Sequence, residues 1–354
     1  MGKHSATASL NLLLISLYPI VFIIGLVSLS PNIVFAQHEI DPETWIEMRK
    51  MIRHKGRTPS IEEEVAALAG PDAKSAGPRL IDHGPEALPA VHSALISDDV
   101  TLRHAQVLLQ VIRSIGDKSS VPVVLEFLKR DTNNPLRRDA LLVLALLPAT
   151  EEAAAFIIEL ANNTNEKWHT YRMAFTWFGF HRDQRGRPYS QALLADPDPE
   201  KRAAGLFVLA CLGDKSVLKP ISQLLTAPPT NSRDALLYAL AELTTPEEFQ
   251  RLAPSSLAWS NGYKESLLYT QYVAAGPKEK IPLCLKMLRS QRAEHRRLAI
   301  RYLLDNGHAN DLRPYAAVDL EAPGRAALIR NEIRKAGWHI IDTDEEFNIK
   351  QTAF

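Results

Sequence analysis

The sequence predicts an all-α protein folded as a right-handed α-solenoid of about eight helix pairs. Alanine and leucine are abundant and aromatic residues make up only 7% of the chain, a composition that favours helices over sheets. Apolar segments of helical length alternate with short polar breaks from residue 85 to residue 336. Two consecutive copies of this pattern, between Glu86 and Leu147, show it most clearly. Such repetition is typical of a solenoid, in which each unit packs on its neighbours.

Each repeat unit contains two apolar segments. In the second copy Ser119–Leu128 is followed by Asp131 and Pro135, and the next apolar segment ends at Leu147. Proline is tolerated in the first turn of a helix, where its missing N–H removes no hydrogen bond. Glycine suits the left-handed backbone that ends many helices, and it recurs between units. The residues between units are Gly116-Asp117, Gly213-Asp214, Thr244-Thr245, Gly276-Pro277 and Gly307-His308.

The helix starts recur at a steady interval. The first helices are predicted to begin near Pro85, Ser119, Thr150, Pro188, Asp214, Pro246, Pro277 and Ala309. The second helices are predicted to begin near Val100, Asn134, Asn165, Pro199, Thr230, Asn261, Arg292 and Pro323. Consecutive second helices are therefore 31 or 34 residues apart, which indicates short helical repeats.

The repeats resemble the HEAT repeat family, in particular the short repeats first associated with phycobilisome lyases. The resemblance is carried by Ile115–Leu128, by Arg138–Leu141 and by the segment from Arg202 to Leu225. It implies a curved array whose second helices line the concave side, where a partner would bind. It also implies a scaffold or adaptor more often than an enzyme, and says little about chemistry because one fold hosts many functions.

Residues 1–36 have the features of a targeting segment. Leu12–Leu29 is almost wholly apolar, and Val34-Phe35-Ala36 before Gln37 fits a signal-peptidase site. The apolar run is also just long enough, at about 18 residues, to span a bilayer, so the alternative is a retained membrane anchor. A later start codon, leaving this segment untranslated, is a third alternative. If the segment is a cleaved signal or a retained anchor, the body of the protein is predicted to be periplasmic or secreted.

Two further regions flank the repeats of residues 85–336. Residues 37–84 are predicted to form an N-terminal helical cap over the open end of the first repeat, with Ser60 and Glu63 as a capping box at a helix start. Residues 337–354 are predicted to form a C-terminal tail, in which Trp338–Ile341 is extended and Asp342–Glu346 is acidic and solvated.

The composition argues against several classes of function. Basic and acidic residues number 41 each, so the chain lacks the basic excess of a nonspecific nucleic-acid binder. Its two cysteines, Cys211 and Cys284, are too few for a disulfide scaffold or a cysteine zinc site; both are predicted to be buried, and a bridge between them stays open. The sequence has no metal-ligand spacing, nucleophile motif or phosphate-binding loop, so no catalytic residue, metal or cofactor is predicted.

A basic residue recurs near the start of most second helices. These residues are Arg103, Arg138 or its neighbour Arg137, Arg202, Arg233, Lys264, Arg297 or its neighbour Arg296, and Arg325. Stacked repeats would align them as a ladder on one face. A cation near a helix N-terminus opposes the helix dipole unless it is paired, which favours a structural ladder of ion pairs with acids such as Asp98 and Asp196. The alternative is a binding strip for an acidic peptide, a polyanionic glycan or an anionic lipid.

The third unit departs from the others by its aromatic and basic residues. The candidate binding residues there are Trp168, Tyr171, Arg172, Trp177, His181, Arg182 and Arg185. Aromatic and arginine side chains are favoured anchors at protein interfaces. The alternative is that the rings fill space between irregular repeats.

These observations predict an extracytoplasmic repeat protein that acts as a protein-binding scaffold or adaptor. Its partner would be a protein or peptide, with membrane contact only through residues 12–29. The alternatives are a lyase-like enzyme or enzyme accessory acting in the concave groove, and a membrane-tethered assembly factor. A deep pocket with convergent polar groups would favour the enzyme, and a broad shallow groove the scaffold.

We expect the mature chain to begin at Gln37, because the apolar run and the residues before Gln37 fit a cleaved signal. Mass spectrometry of the protein purified from its native host would measure this directly. Peptides from residues 1–36 in a membrane fraction would identify a retained anchor and contradict cleavage.

Overall fold

Helices fill nearly all of the described chain. The computed structural model describes residues 59–130, 134–163, 166–227, 232–290, 292–317, 325–342 and 347–351. The chain divides into two units, Met1–Thr44 and Trp45–Phe354, and the described residues all belong to the second. The predicted targeting segment of residues 1–36 and the first part of the predicted cap lie outside the described residues.

The helices follow one another in pairs. Two helices come first, α1 (Ile61–Ala67) and α2 (Ala73–His83). The pairs that follow are α3 (Leu88–Leu95) with α4 (Leu102–Ile115), α5 (Val121–Arg130) with α6 (Arg137–Leu146), α7 (Glu151–Asn162) with α8 (Trp168–Phe180), α9 (Arg187–Leu193) with α10 (Pro199–Cys211), α11 (Leu218–Leu225) with α12 (Arg233–Leu243), α13 (Pro246–Leu252) with α14 (Asn261–Ala274), α15 (Pro277–Met287) with α16 (Ala293–Asp305), and α17 (Arg313–Ala317) with α18 (Arg325–Lys335). The all-α solenoid is confirmed, and every predicted helix start lies within four residues of an observed one.

Local sequence signals fix several helix ends. The capping box at α1 forms as predicted: Ser60 N–H donates to Glu63 Oε2 at 2.8 Å, and Glu63 N–H donates to Ser60 Oγ at 3.2 Å. Gly116, Gly213 and Gly307 adopt the expected left-handed backbone after α4, α10 and α16. Gly276 differs, because its φ of −70° makes it the extended N-cap of α15 and not the end of α14.

Two hydrophobic cores hold the pairs together. The first extends from Val65 in α1 to Tyr263 in α14, so it runs through the first six pairs. The second joins α15, α16, α17 and α18 and includes Ile349 near the C-terminus. Helix α18 contributes to both cores, since Ala327 belongs to the first while Ile329 and Ile333 belong to the second. The last pair is therefore attached at both ends of the repeat array.

Helix α18 closes the array on itself by packing against α2 and α4. Arg330 Nε donates to Asp82 Oδ1 at 2.7 Å, and both terminal nitrogens of Arg334 lie 3.1 Å from the same oxygen. The amide nitrogen of Asn331 donates to the carbonyl oxygens of Ser114 (3.3 Å) and Ile115 (3.1 Å). A small rotation added at each repeat brings the last helix back to the first. The region predicted to cap an open end is described from residue 59 to residue 84. It forms one side of a closed junction, and α18 forms the other.

The segment predicted as a C-terminal tail contains a hairpin. Strands β1 (Trp338–Asp342) and β2 (Phe347–Gln351) pair antiparallel, with Trp338 opposite Gln351. Ile349 is buried, and Trp338 and Ile340 pack on the second core. Alternating apolar residues give the hairpin one buried face, which supplies the packing that an extended tail would lack.

We expect Asp82→Asn to lower the free energy of unfolding by about 1.5–3 kcal/mol, the usual value of hydrogen bonds to a charged partner. Burial alone would raise the pKa of Asp82, but hydrogen bonds and charge from Arg330 and Arg334 outweigh burial and lower it. A lowered folded-state pKa gives stability above the ordinary carboxyl pKa of about 4, and that stability is lost as pH falls through the folded value. Urea unfolding at pH 7 and pH 2 would measure both effects.

Asp98→Asn is the matched control, because Asp98 is fully exposed and its Oδ1 lies 3.7 Å from Arg130 Nη1, too far for a hydrogen bond. An exposed pair of this kind contributes about 0–1 kcal/mol. Equal effects of the two substitutions would contradict a stabilising role for the junction between α2 and α18.

Candidate functional site

One aromatic ring from each of five consecutive second helices forms a continuous line, which we call the aromatic row. The row consists of Phe180, Phe207, Tyr238, Tyr269 and His295. Neighbouring ring centroids are 5.8, 6.3, 6.1 and 5.4 Å apart, within the range of favourable ring contacts. The row therefore links α8, α10, α12, α14 and α16 along one side of the second helices.

The repeat period places part of this row at one structural position. Phe207, Tyr238 and Tyr269 each lie eight residues after the predicted start of their second helix. The same offset from Asn134 gives Leu142, and from Arg292 it gives Ile300. Both of these residues line the cavity described next. A comparison of residues at this single repeat position would have picked out the three central rings of the row from the sequence.

A cavity of about 290 Å³ lies where the two ends of the array meet. Its lining comes from α4, α6, α8, α16 and α18 and from the residue before α16, so helices distant in sequence converge there. The residues that carry charge are Arg113, Arg292, Arg296, Arg297, Glu294 and Glu332. Apolar lining comes from Leu142, Leu146, Phe180, Ile300, Leu328 and Ile329. Four arginines against two glutamates give the cavity a positive balance.

The arginines around the cavity differ in how they are held. Arg292 lies 4.7 Å from the Tyr238 ring centroid and 3.4 Å from Glu265, and Arg297 Nε donates to Glu332 at 3.2 Å. Arg296 donates to the carbonyl oxygen of Ser290 at 2.6 Å. Arg113 makes no ion pair with any described residue and its side chain is exposed. The cavity thus has three oriented guanidinium groups and one that can reorient toward a ligand.

A second polar group lies farther along the row, around Glu242. The Glu242 side chain is only 5% exposed, and its Oε2 accepts a hydrogen bond from Arg182 Nη2 at 2.6 Å. Burial, followed by the charge of Glu242, raises the pKa of Tyr269 to about 12, and the same causes raise the pKa of Tyr238. Both tyrosines therefore keep their protons at neutral pH.

The last ring of the row is a neutral histidine. His295 is fully buried, its ring stacks on Tyr269, and its Nδ1 lies 3.3 Å from Ser290 Oγ. Burial, with the charges of Arg292 and Arg296, lowers its pKa to about 3. His295 therefore adds no charge to the cavity at neutral pH.

The candidate binding residues of the third unit separate into different environments. Trp177 is 1% exposed, so it is core and cannot anchor a partner at the surface. Trp168 is half-buried beside Tyr171, whose hydroxyl donates to the Ala161 carbonyl oxygen at 3.0 Å. The ring centroids of His181 and Trp177 are 4.7 Å apart, and burial lowers the pKa of His181.

The three arginines of that cluster also separate. Arg172 pairs with Glu200 of the next unit at 3.6 Å, while Arg185 pairs with Asp183 at 2.6 Å and with Glu151 at 3.0 Å. Of the three arginines, only Arg182 lies next to the aromatic row, because its partner Glu242 lies beside Tyr238 and Tyr269. Of the rings in this cluster, Trp177 fills space in the core, whereas Trp168 and Tyr171 are half-buried. A binding role for the rest of the cluster stays a prediction.

The predicted ladder exists in part and uses different arginines. Arg297 pairs with Glu332 of the next unit as expected. The other pairs join a second helix to the second helix of the neighbouring unit or to a residue just before it. They are Arg137–Glu166 (3.4 Å), Arg172–Glu200 (3.6 Å) and Arg292–Glu265 (3.4 Å). Arg137 is buried, whereas Arg138 points to solvent beside Asp139, because consecutive helical residues are rotated by about 100°.

The remaining residues predicted for the ladder bond to groups of their own repeat unit or face solvent. Arg202 donates to the carbonyl oxygens of Asp196 (2.8 Å) and Pro197 (2.7 Å). Arg233 pairs with the adjacent Asp234 at 3.7 Å. Arg103 and Lys264 are exposed, and the side chain of Arg325 lies outside the described residues.

The cysteines do not provide a reactive thiolate. Both are free and buried, in α10 and α15. Burial first, and then the charge of Glu242, raises the pKa of Cys211 to about 12, and burial raises that of Cys284 to about 11. Both thiols are protonated at neutral pH, which opposes nucleophilic chemistry at either one.

Within the described ranges, no group of three histidine, cysteine, aspartate or glutamate side chains is arranged to hold a metal ion. None of the helices in that part of the chain combines the length and the apolar character needed to cross a bilayer.

Comparisons with known proteins add a likeness of fold. No protein-family model matches the chain, and no curated protein sequence matches it. Seven chains of solved structures do match. One belongs to the complex of CpcE and CpcF of phycocyanin lyase from Nostoc sp.; it is 17% identical, with 65% of this chain and 94% of that chain covered and a TM-score of 0.47. A likeness at this level says nothing about function, and the assignment to HEAT repeats stays a prediction.

We expect Trp177→Ala to lower the free energy of unfolding by about 3–5 kcal/mol, since it removes a fully buried ring. Trp177→Phe should change it far less, because the Trp177 indole N–H has no hydrogen-bond partner among the described residues. Thermal and urea unfolding would measure both variants. An unchanged stability of Trp177→Ala would contradict the packing role and restore Trp177 as a surface anchor.

Proposed function

We propose that this protein is an extracytoplasmic scaffold that binds an acidic side chain of a partner protein in the cavity between its first and last repeats. The observation that carries the proposal is the convergence of Arg113, Arg292, Arg296 and Arg297 on one cavity. Guanidinium groups bind carboxylates through paired, charge-assisted hydrogen bonds. A partner residue inserted there would contact both ends of the repeat array.

The size of the cavity supports a side chain as its occupant. Pockets for drug-sized ligands usually measure about 300–1,000 Å³, and this cavity lies at the lower limit of that range. It can hold one acidic side chain, with the rest of the partner outside. Apolar residues such as Leu142, Phe180 and Ile300 line the same space and would reduce the exposure of the bound charge to water.

The location outside the cytoplasm is part of the proposal. It is supported by the apolar run Leu12–Leu29 and by the small residues before Gln37. Convergent polar groups in a pocket are also the feature expected of an enzyme. The lining of this cavity is rich in arginine and, among the described residues, includes no cysteine or histidine, which favours a binding role over lyase chemistry.

We expect Arg113→Gln to weaken the binding of a fluorescein-labelled tetraglutamate peptide by about tenfold, the effect of one charge-assisted hydrogen bond. Fluorescence anisotropy at low ionic strength would measure the dissociation constant. Arg113 suits the test because it makes no ion pair with the described residues, so its loss leaves the junction between α2 and α18 intact.

Arg103→Gln is the matched control, since Arg103 lies on the same helix, is exposed and does not line the cavity. Its affinity for the peptide should stay within about twofold of the wild-type value. Equal weakening by both substitutions would indicate nonspecific attraction and overturn the proposal, as would an absence of saturable binding to the wild-type protein.

A further inference from the structure

Helix α8 ends in the same way as α10 and α16 except for one residue. In each case the left-handed residue and the residue after it donate backbone hydrogen bonds into the last turn. The bonds are Arg182→Gly179 and Asp183→Phe178 after α8 (3.1 and 3.0 Å), Gly213→Ala210 and Asp214→Leu209 after α10 (2.9 and 3.0 Å), and Gly307→Leu304 and His308→Leu303 after α16 (3.3 and 2.8 Å). Arginine therefore stands at a position that holds glycine in the two other helices.

The backbone itself disfavours an arginine there. Arg182 has a φ of 50° and is the one described residue other than glycine with a positive φ. A side chain in this conformation brings its Cβ close to the backbone carbonyl, and glycine avoids that contact. Since the backbone gains nothing from arginine at this position, the contact made by its side chain must offset the strain.

That contact is with the carboxylate of Glu242. The Glu242 side chain is 5% exposed, whereas the Arg182 side chain is 62% exposed, so a buried anion is covered by a cation that lies largely in solvent. The other carboxylate oxygen of Glu242, Oε1, receives no hydrogen bond of standard geometry from the described residues. Looser hydrogen bonds to this carboxylate do help to raise the pKa of Tyr238 and of Tyr269, so the two hydroxyls lie beside it. Oε1 is therefore the oxygen open to an additional donor.

We propose that Glu242, with Tyr238 and Tyr269 beside it, forms a binding site for the guanidinium group of a partner's arginine, and that Arg182 occupies this site until the partner displaces it. A carboxylate with two acceptor oxygens matches the paired donors of a guanidinium group. The rings of the two tyrosines lie 6.1 Å apart, and Arg292 lies 4.7 Å from the Tyr238 ring centroid, so this part of the row already accepts a guanidinium group. Exchange of one guanidinium for another leaves no buried charge unpaired.

This site is separate from the arginine-lined cavity, although the two meet at Tyr238. Arg292 of the cavity lies over the Tyr238 ring, and Glu242 is one helical turn beyond Tyr238 on the same helix. The proposed cation site does not depend on the binding of an acidic group. Each can be tested with a probe of the opposite charge.

Arg182→Gly is the decisive variant, because it removes the resident guanidinium and supplies the residue that the left-handed backbone prefers. The probe is ethylguanidinium at millimolar concentration, with sodium chloride added to keep the ionic strength constant. We expect a saturable rise in the thermal midpoint of Arg182→Gly, and calorimetric titration should give a dissociation constant at least tenfold lower than in the wild-type protein. In the wild type, Arg182 competes with the probe.

The control variant Arg182→Gly with Glu242→Gln should lose the saturable response, since it keeps the vacated space and removes the anion. Arg185→Gly is a second control that removes a nearby exposed arginine while leaving the pair of Arg182 and Glu242 in place; it should respond as the wild type does. Should the double variant fail to fold, the comparison of Arg182→Gly with Arg185→Gly still decides. Equal responses of those two, or an unchanged response in the double variant, would show an ion pair of structural role only and overturn the proposal.

Discussion

The contact of the last helix with the first helices is the constraint on which the arginine-lined cavity depends. Asp82 on α2 receives Arg330 and Arg334 of α18, and Asn331 of α18 bonds to two carbonyl groups at the end of α4. These bonds convert a series of stacked pairs, in which each pair would touch only its neighbours, into a closed circuit. The position of every second helix is then limited from both directions along the chain.

Closure also determines which charges meet. Arg113 on α4 and Arg297 on α16 are separated by most of the repeats, yet they line one cavity. An open array would keep them apart, and each would be an ordinary surface charge in water. In the middle of the aromatic row, the buried carboxylate of Glu242 lies beside the protonated Tyr238 and Tyr269. The second helices thus carry an arginine-rich cavity at the junction and a buried carboxylate beside the tyrosines of the row.

The sequence predicts the helix pairs well because each depends on local signals. The capping box at Ser60 begins a helix and the glycines at 116, 213 and 307 end one, and each acts within a few residues of that helix. The site was harder to predict. Which of Arg137 and Arg138 is buried depends on a rotation of one residue, and Trp177 resembles a binding residue until its packing is known. The pairing of Asp82 with α18 joins residues 248 positions apart, and no periodicity encodes it.

The junction has a consequence for how the molecule is made. A linear repeat array can fold progressively as it emerges, each pair adding to a finished surface. Here the cavity needs α18, which follows all the other described helices in the sequence. The first six pairs share one core and can assemble early, but their inner arginine, Arg113, has no opposing wall until the final pair arrives. Binding competence would then appear only after α18 has packed, which keeps a partially folded molecule from engaging its partner too soon.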